Sequence, residues 1–167
     1  KFHEGGVPLN SLELILGDGK YGEMLTRVES LQGVAFTGSL PTAKKIQSNL
    51  IQYQDQIIHL IAETGGINCM LVDSSALLEQ VTDDVVRSAF DSAGQRCSAL
   101  RVLCIQEEIY EELVEMIKGN MIIQKVGNPN EFDTDIGPII NLEALEKLNK
   151  YIEKCEIEGF DVFQASE

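Results

Sequence analysis

Short apolar runs closed by glycine-containing turns alternate along this chain with longer stretches whose apolar residues recur at helical spacing. Leu12-Glu13-Leu14-Ile15-Leu16 predicts a short buried strand, and Gly17-Asp18-Gly19 the turn after it. A helix is expected over about 21–29, and Val34-Ala35-Phe36 forms the next strand. Gly38-Ser39 then leads into a helix beginning near Pro41, where a missing N–H does no harm. Ser39 is placed as its N-cap or as a ligand for an anion. A third strand over 57–62 runs directly into Glu63-Thr64-Gly65-Gly66. Strand, helix, strand, helix, strand implies an α/β fold with a parallel sheet.

The same alternation continues. A strand is expected over 69–72, a helix over about 76–90, a turn at Gly94-Gln95-Arg96-Cys97 and a strand over 100–106. Residues 107–121 read as a long helix in which Ile109, Leu113, Met116 and Ile117 share one face, a stripe typical of scaffold rather than of a cofactor pocket. Val126-Gly127-Asn128-Pro129 and Ile136-Gly137-Pro138 signal loops, and Asn141 can cap a final helix to about Glu158.

Composition narrows the classes of function. A chain of 167 residues with 44% hydrophobic content can bury one core, and its length also suits part of a larger enzyme. The formal net charge of -14 argues against nucleic acid or an anionic membrane as partner, because phosphate contacts need clustered Lys and Arg. Acidic groups such as Glu107-Glu108 and Glu111-Glu112 read as solvated helix faces. No apolar run approaches the length of a membrane span. The four cysteines, at 69, 97, 104 and 155, form no CxxC pair and have no His beside them, so neither a metal site nor a disulfide framework is expected. A reducing cytoplasm is the expected compartment. His3 and His59 lack any ligand arrangement around them.

The chemistry lies in two motifs whose key residues are 34 positions apart, Glu63 in Glu63-Thr64-Gly65-Gly66 and Cys97 in Gly94-Gln95-Arg96-Cys97, with Phe36-Thr37-Gly38-Ser39 upstream. A thiolate adds to an aldehyde carbonyl, the adduct loses hydride to a nicotinamide, and a carboxylate activates the water that cleaves the thioester. A helix N-terminus after Gly38-Ser39 suits a phosphate. Arg96 is positioned in sequence to favour the Cys97 thiolate. Gly65 and Gly66, following a buried strand, indicate close approach of backbone to a ligand. Gly17-Asp18-Gly19 with Gly22 is an incomplete GxGxxG run, which a structural turn explains as well as a cofactor contact does. Phe90 reads equally as a pocket wall or as a helix-end core aromatic. Cys69, Cys104 and Cys155 read as small buried hydrophobes.

These three motifs, in this order and spacing, resemble those of the aldehyde dehydrogenase superfamily. Within it, Phe90-Asp91-Ser92-Ala93-Gly94-Gln95-Arg96-Cys97-Ser98-Ala99-Leu100-Arg101 is similar to the glutamate-semialdehyde (pyrroline-5-carboxylate) dehydrogenases, above all those of bacterial bifunctional proline-utilisation proteins. Val72-Asp73-Ser74-Ser75-Ala76-Leu77, Gly127-Asn128-Pro129 and Asp133-Thr134-Asp135-Ile136-Gly137-Pro138 resemble the same subgroup. The resemblance implies a three-layer αβα architecture: residues 1–64 forming the later part of a Rossmann-type NAD-binding domain, and 65–167 the earlier part of the catalytic thiol domain. It implies Cys97 as nucleophile and Glu63 as the base for deacylation. It also implies Thr37, Gly38, Ser39, Gly65 and Gly22 on the cofactor NAD, and Ser98 and Phe90 toward the substrate.

The implied activity is NAD-dependent oxidation of L-glutamate 5-semialdehyde to L-glutamate in proline catabolism. The implied partners are the aldehyde, complementing dehydrogenase segments and an attached or associated proline dehydrogenase, with a homo-oligomer left open. The family's site also uses an oxyanion Asn, a ribose-binding Lys and a nicotinamide-ribose Glu that are not assigned here. The chain is therefore expected to be a central piece with little activity alone and with exposed apolar sheet. A non-catalytic remnant or interaction module is the alternative reading. An unrelated thiol acyltransferase would need a His base, which neither His3 nor His59 supplies.

Overall fold

In a computed structural model, which describes residues 1–166, the chain divides into two units, Lys1–Gly65 and Gly66–Glu167. The first is built on a βαβ unit. Asp18 accepts a hydrogen bond from the Lys20 N–H at 2.9 Å and caps helix α1, Gly19–Leu25. Strand β1, Gly33–Gly38, leads into helix α2, Leu40–Tyr53, and strand β2, His59–Thr64, returns parallel to β1. Ser39 is the N-cap of α2 and Pro41 lies in its first turn, where its lack of an N–H leaves nothing unpaired.

The end of helix α1 is tied to α2 by polar contacts. The buried Asn49 amide donates to Thr26 Oγ1 at 3.1 Å, and Thr26 Oγ1 donates to the Glu23 carbonyl at 2.6 Å. Gln54, the residue that ends α2, donates to the carbonyls of Thr26 and Val28 at 2.9 and 3.2 Å. Ala43 and Leu50 are the buried apolar residues of α2.

One expected strand does not form. Residues 12–16 have no regular structure, and Leu14 and Leu16 are 83% and 81% exposed. An apolar run signals strand propensity, but a strand needs a ladder partner, and β1 and β2 pair with each other rather than with it. The sheet of this unit is accordingly two-stranded among the described residues, not three-stranded. Helix α1 also begins and ends earlier than the apolar pattern suggests, because Asp18 caps it.

The second unit repeats the parallel arrangement. Strand β3, Asn68–Val72, is followed by helix α3, Leu78–Phe90, a short 3-10 turn at Asp91–Gly94, and strand β4, Leu100–Ile105, parallel to β3. Asp73 holds the approach to α3: its carboxylate accepts from the Ser75 N–H and hydroxyl at 2.8 and 2.6 Å, which holds its own pKa below the ordinary value. That turn delays the helix to Leu78. Helix α4, Glu107–Ile123, packs on α3, with the Asn120 amide donating to Asp83 at 3.0 Å. Its expected stripe is the covered face, and Leu113 is fully buried. A parallel bridge joins Val126 to Ile136, and helix α5, Leu142–Ile157, starts from Asn141, whose side chain accepts from the Ala144 N–H at 2.9 Å.

Val72, Val85, Val86, Ala99, Leu100 and Leu113 form the buried apolar core of this unit. Cys69 and Cys104 depart from the expectation of burial: both are exposed on the outer face of the β3–β4 pair, and Cys155 is half-buried. Leu71 on that face and Ile61 on β2 are likewise exposed. None of the helices among the described residues is long and apolar enough to cross a membrane.

Leu113 is the test of the second core. Replacing it with Ala is expected to remove about 2–5 kcal/mol from unfolding, read as a lower urea midpoint, whereas Glu111→Ala on the exposed face of the same helix is expected to change it by less than about 0.5 kcal/mol.

Candidate active site

The FTGS and ETGG motifs lie side by side at the ends of two parallel strands. The register pairs Thr37 with Glu63 and Gly38 with Thr64, so both motifs leave the sheet at its carboxyl edge. Ligands of α/β sheets bind outside that edge, because helix N-termini and backbone N–H groups converge there. Glu63 is exposed at this position. Phe36 lies over Gly38, so a Cβ there would stand 2.5 Å from its ring and the ring would have to move. Gly65 has nothing within 4 Å of such a Cβ.

Ser39 presents the first turn of α2. Its Oγ accepts from the Thr42 N–H at 3.3 Å and shares a 2.9 Å hydrogen bond with Thr42 Oγ1. A cleft of about 480 Å³ opens between α1, β1 and α2, lined by Gly22, Val34, Phe36, Thr42 and Lys45 among others. The walls of the cleft are mainly apolar, and Thr42 in the first turn of α2 is part of its lining. Gly22 thus belongs to this cleft. Lys45, which the sequence pattern did not single out, donates to Glu23 at 2.7 Å. Arg27 donates to the other Glu23 oxygen at 2.6 Å and stacks over Tyr53 at 4.4 Å. The Lys45 hydrogen bond, and then that of Arg27, hold the Glu23 carboxyl below the ordinary carboxylate range.

The nucleophile candidate sits in the second unit, on the loop between α3 and β4. Cys97 and Ser98 are both exposed. The loop turns through three consecutive residues of positive φ: Ser92 at 57°, Ala93 at 53° and Gly94 at 66°. Gly94 is obligatory, because a Cβ there would also stand 2.8 Å from the Ala89 carbonyl oxygen. Side chains then satisfy the loop's carbonyls. The Asn68 amide donates to the carbonyls of Cys97 and Ala99 at 2.7 and 2.8 Å. Arg101 donates to that of Gly94 at 2.6 Å. Gln95 donates to the Ser92 and Pro138 carbonyls at 3.1 and 3.3 Å and accepts from the Ile140 N–H at 2.8 Å, binding the loop to the Ile136-Gly137-Pro138 segment.

Arg96 does not serve the thiolate in the way its place in the sequence suggests. Its guanidinium turns back to the end of α3 and donates to the Arg87 and Ser88 carbonyls at 2.9 and 3.3 Å. Helix-end carbonyls lack partners within the helix and attract a cationic donor, so Arg96 is a C-cap. Phe90 faces an apolar cleft of about 430 Å³ with Ala93, Met121, Val126, Ile136 and Leu148, and neither Cys97 nor Ser98 lines it. Asn68, Gln95 and Arg101 are the loop-holding side chains to which sequence reasoning gave no role. Each acts through a side-chain bond to a distant carbonyl, which leaves no local pattern.

The first unit thus holds a motif-bearing βαβ element with a capped helix N-terminus, and the second an exposed cysteine on a pinned helix-to-strand loop. The chain belongs to the aldehyde dehydrogenase family, whose model matches residues 1–167. It is 49% identical over 166 residues to the bifunctional protein PutA of Klebsiella aerogenes, covering 97% of this chain and 13% of that protein. It is 36% identical to the 1-pyrroline-5-carboxylate dehydrogenase of Bacillus subtilis, covering 93% of this chain and 31% of the relative. It also superposes on the Staphylococcus aureus betaine aldehyde dehydrogenase in complex with NAD+, with a TM-score of 0.86 and 28% identity, over 94% of this chain and 31% of that one. The chain therefore spans about an eighth of the PutA relative's length and about a third of the others.

Gly94→Ala is expected to destabilise the second unit by roughly 1–3 kcal/mol or more, through strain and the clash with Ala89. Ala93→Gly, at a position that Gly tolerates, is expected to stay within about 1 kcal/mol. Urea unfolding compares the two, and alkylation of Cys97 with iodoacetamide reports whether the loop has moved.

Proposed function

We propose that this chain carries the nucleophile, the deacylating base and part of the NAD site of a dehydrogenase that converts L-glutamate 5-semialdehyde to L-glutamate in proline catabolism. The observation that carries the reading is the Cys97 loop: an exposed thiol whose backbone is held on both sides by Asn68, Gln95 and Arg101. The similarity to a PutA and to a 1-pyrroline-5-carboxylate dehydrogenase, together with the run 90–101, supports the substrate. In this reading residues 1–64 belong to the NAD-binding domain and 65–167 to the catalytic domain.

Each residue then has a role. The Cys97 thiolate adds to the aldehyde carbonyl, and its own backbone N–H holds part of the oxyanion. Asn68 keeps the Cys97 carbonyl engaged, which fixes the peptide that follows the nucleophile. The Ser98 hydroxyl donates to the carboxylate end of the substrate, whereas Phe90, which lines a cleft that Cys97 and Ser98 do not reach, takes no part in this reading. Gly38, Ser39 and Thr37 would receive the pyrophosphate at the N-terminus of α2, and Gly22 and Gly65 would be further positions on the cofactor. When bound, NAD supplies the acceptor for the hydride that the adduct releases. Glu63 takes a proton from the water that cleaves the thioester on Cys97 and frees glutamate. The pyrroline form of the substrate opens by hydrolysis before any of this. A proline dehydrogenase, attached or associated, is the partner that delivers it, and a reducing cytoplasm keeps the thiolate free.

The test replaces the matching segment of the PutA relative with residues 1–167 and follows NADH formation from 1-pyrroline-5-carboxylate. The chimaera is expected to turn over, and Cys97→Ala to abolish turnover. Glu63→Gln is expected to retain a rapid first burst of NADH while steady-state turnover falls about 10²–10⁴-fold, because acylation does not need the base and deacylation does. Full activity in Cys97→Ala would overturn the reading. A folded chimaera that makes no NADH would favour the non-catalytic module.

A further inference from the structure

Strands β3 and β4 do not meet in one continuous register. Asn68 pairs with Leu100 and Cys69 with Val102, so Arg101 is an extra residue on β4, a bulge at the head of the sheet. Bulges bend a strand and re-aim its side chains. Here the side chains on both sides of the bulge end on carbonyls of the Cys97 loop: Asn68 on those of Cys97 and Ala99 at 2.7 and 2.8 Å, and Arg101 on that of Gly94 at 2.6 Å. The Ala99 N–H returns to the Arg96 carbonyl at 3.2 Å, which closes a β-turn with Cys97 and Ser98 as its central residues.

The central peptide of such a turn has two orientations. Types I and II share the closing hydrogen bond and differ by a flip of that peptide, and type II needs a positive φ at the second central residue. Among the described non-glycine residues only Ser92 and Ala93 have positive φ, so this turn stands in the type I orientation. The peptide that would flip is the one whose carbonyl belongs to Cys97, and Asn68 holds that carbonyl.

We propose that Asn68 is a positioning residue for the nucleophile: aimed by the bulge, its amide keeps the central peptide of the 96–99 turn from flipping. Its part in the reaction rests on the role proposed above for Cys97. An amide suits the task because both partners are carbonyls; one NH2 group carries two hydrogens, and Asn68 gives one to each side of Ser98. With the Cys97 carbonyl turned to Asn68, the Ser98 N–H, trans across the same peptide, faces away from it. A flip would put the carbonyl oxygen where that N–H stands. Beside a thiolate adding to an aldehyde, that oxygen would repel the oxyanion that forms, which an N–H does not. The charge develops only as the bond forms, so the flip acts on addition rather than on substrate binding.

Two substitutions separate donor from shape. Asn68→Asp keeps the outline of the side chain and offers the two carbonyls no amide hydrogen, and Asn68→Ala removes the group. In the chimaera described above, both are expected to slow the first burst of NADH about 10²-fold with KM little changed, whereas Glu63→Gln keeps that burst. Hydrogen exchange of the same proteins, read by mass spectrometry, is expected to speed up in peptides covering 94–100 and to stay at the parent rate in α4. A burst as fast as the parent's, or a loss carried by KM alone, would overturn the part in addition. Unchanged exchange over 94–100, or an equal rise in α4, would overturn the specific grip on the turn. A parent chimaera that makes no NADH would count against the function proposed above, and the exchange comparison would still decide whether Asn68 positions the turn.

Discussion

The amide of Asn68 holds two carbonyls at once, those of Cys97 and Ala99, and the order of the whole Cys97 loop follows from bonds of this kind. Residues between the 3-10 turn and β4 belong to no helix and no ladder. Their carbonyls would otherwise rely on water, and a loop solvated in that way has no reason to keep one shape. Arg101 takes the Gly94 carbonyl, Gln95 reaches the 138–140 segment, and Arg96 closes the end of α3. The left-handed turn at Ser92, Ala93 and Gly94 is tolerated because these bonds over-determine it. The exposed thiol is thus carried on backbone that is rigid for reasons of hydrogen bonding rather than burial.

In the first unit the corresponding constraint is the parallel ladder. A parallel pair needs a crossover, and the crossover here is α2, whose N-terminus follows β1 directly through Ser39. The same topology brings Thr37 and Gly38 beside Glu63 and Thr64. A capped helix end and a carboxylate leave the sheet at the same edge, which is where binding and acid–base groups of an α/β protein are used together.

What was legible in the sequence was whatever is encoded locally. Ser39 and Asn141 announce their helices because capping is a bond to an N–H three residues on. The stripe Ile109, Leu113, Met116 and Ile117 announces the covered face of α4, and the β1, β2, β3 and β4 strands fall within a few residues of their apolar runs. Residues 12–16 show the limit: apolar character is a property of the segment, whereas strand pairing is a property of its neighbour. Arg96 shows another, since adjacency to Cys97 in the chain says nothing of where a long side chain turns, and the end of a helix two turns earlier claimed it. The exposure of Cys69 and Cys104 follows from what lies over a sheet face, which no periodicity records.

The alignment of β1 and β2 has one further consequence. Side chains alternate from face to face, so sliding β2 by a single residue would set Ala62 or Thr64 opposite Thr37 and turn the Glu63 carboxylate to the other face. The apolar residues of the strand, chosen for packing, therefore also act as a ruler that addresses a charged group to its place. A change at Leu60, chemically remote from any reaction, can misdeliver the carboxylate without touching it.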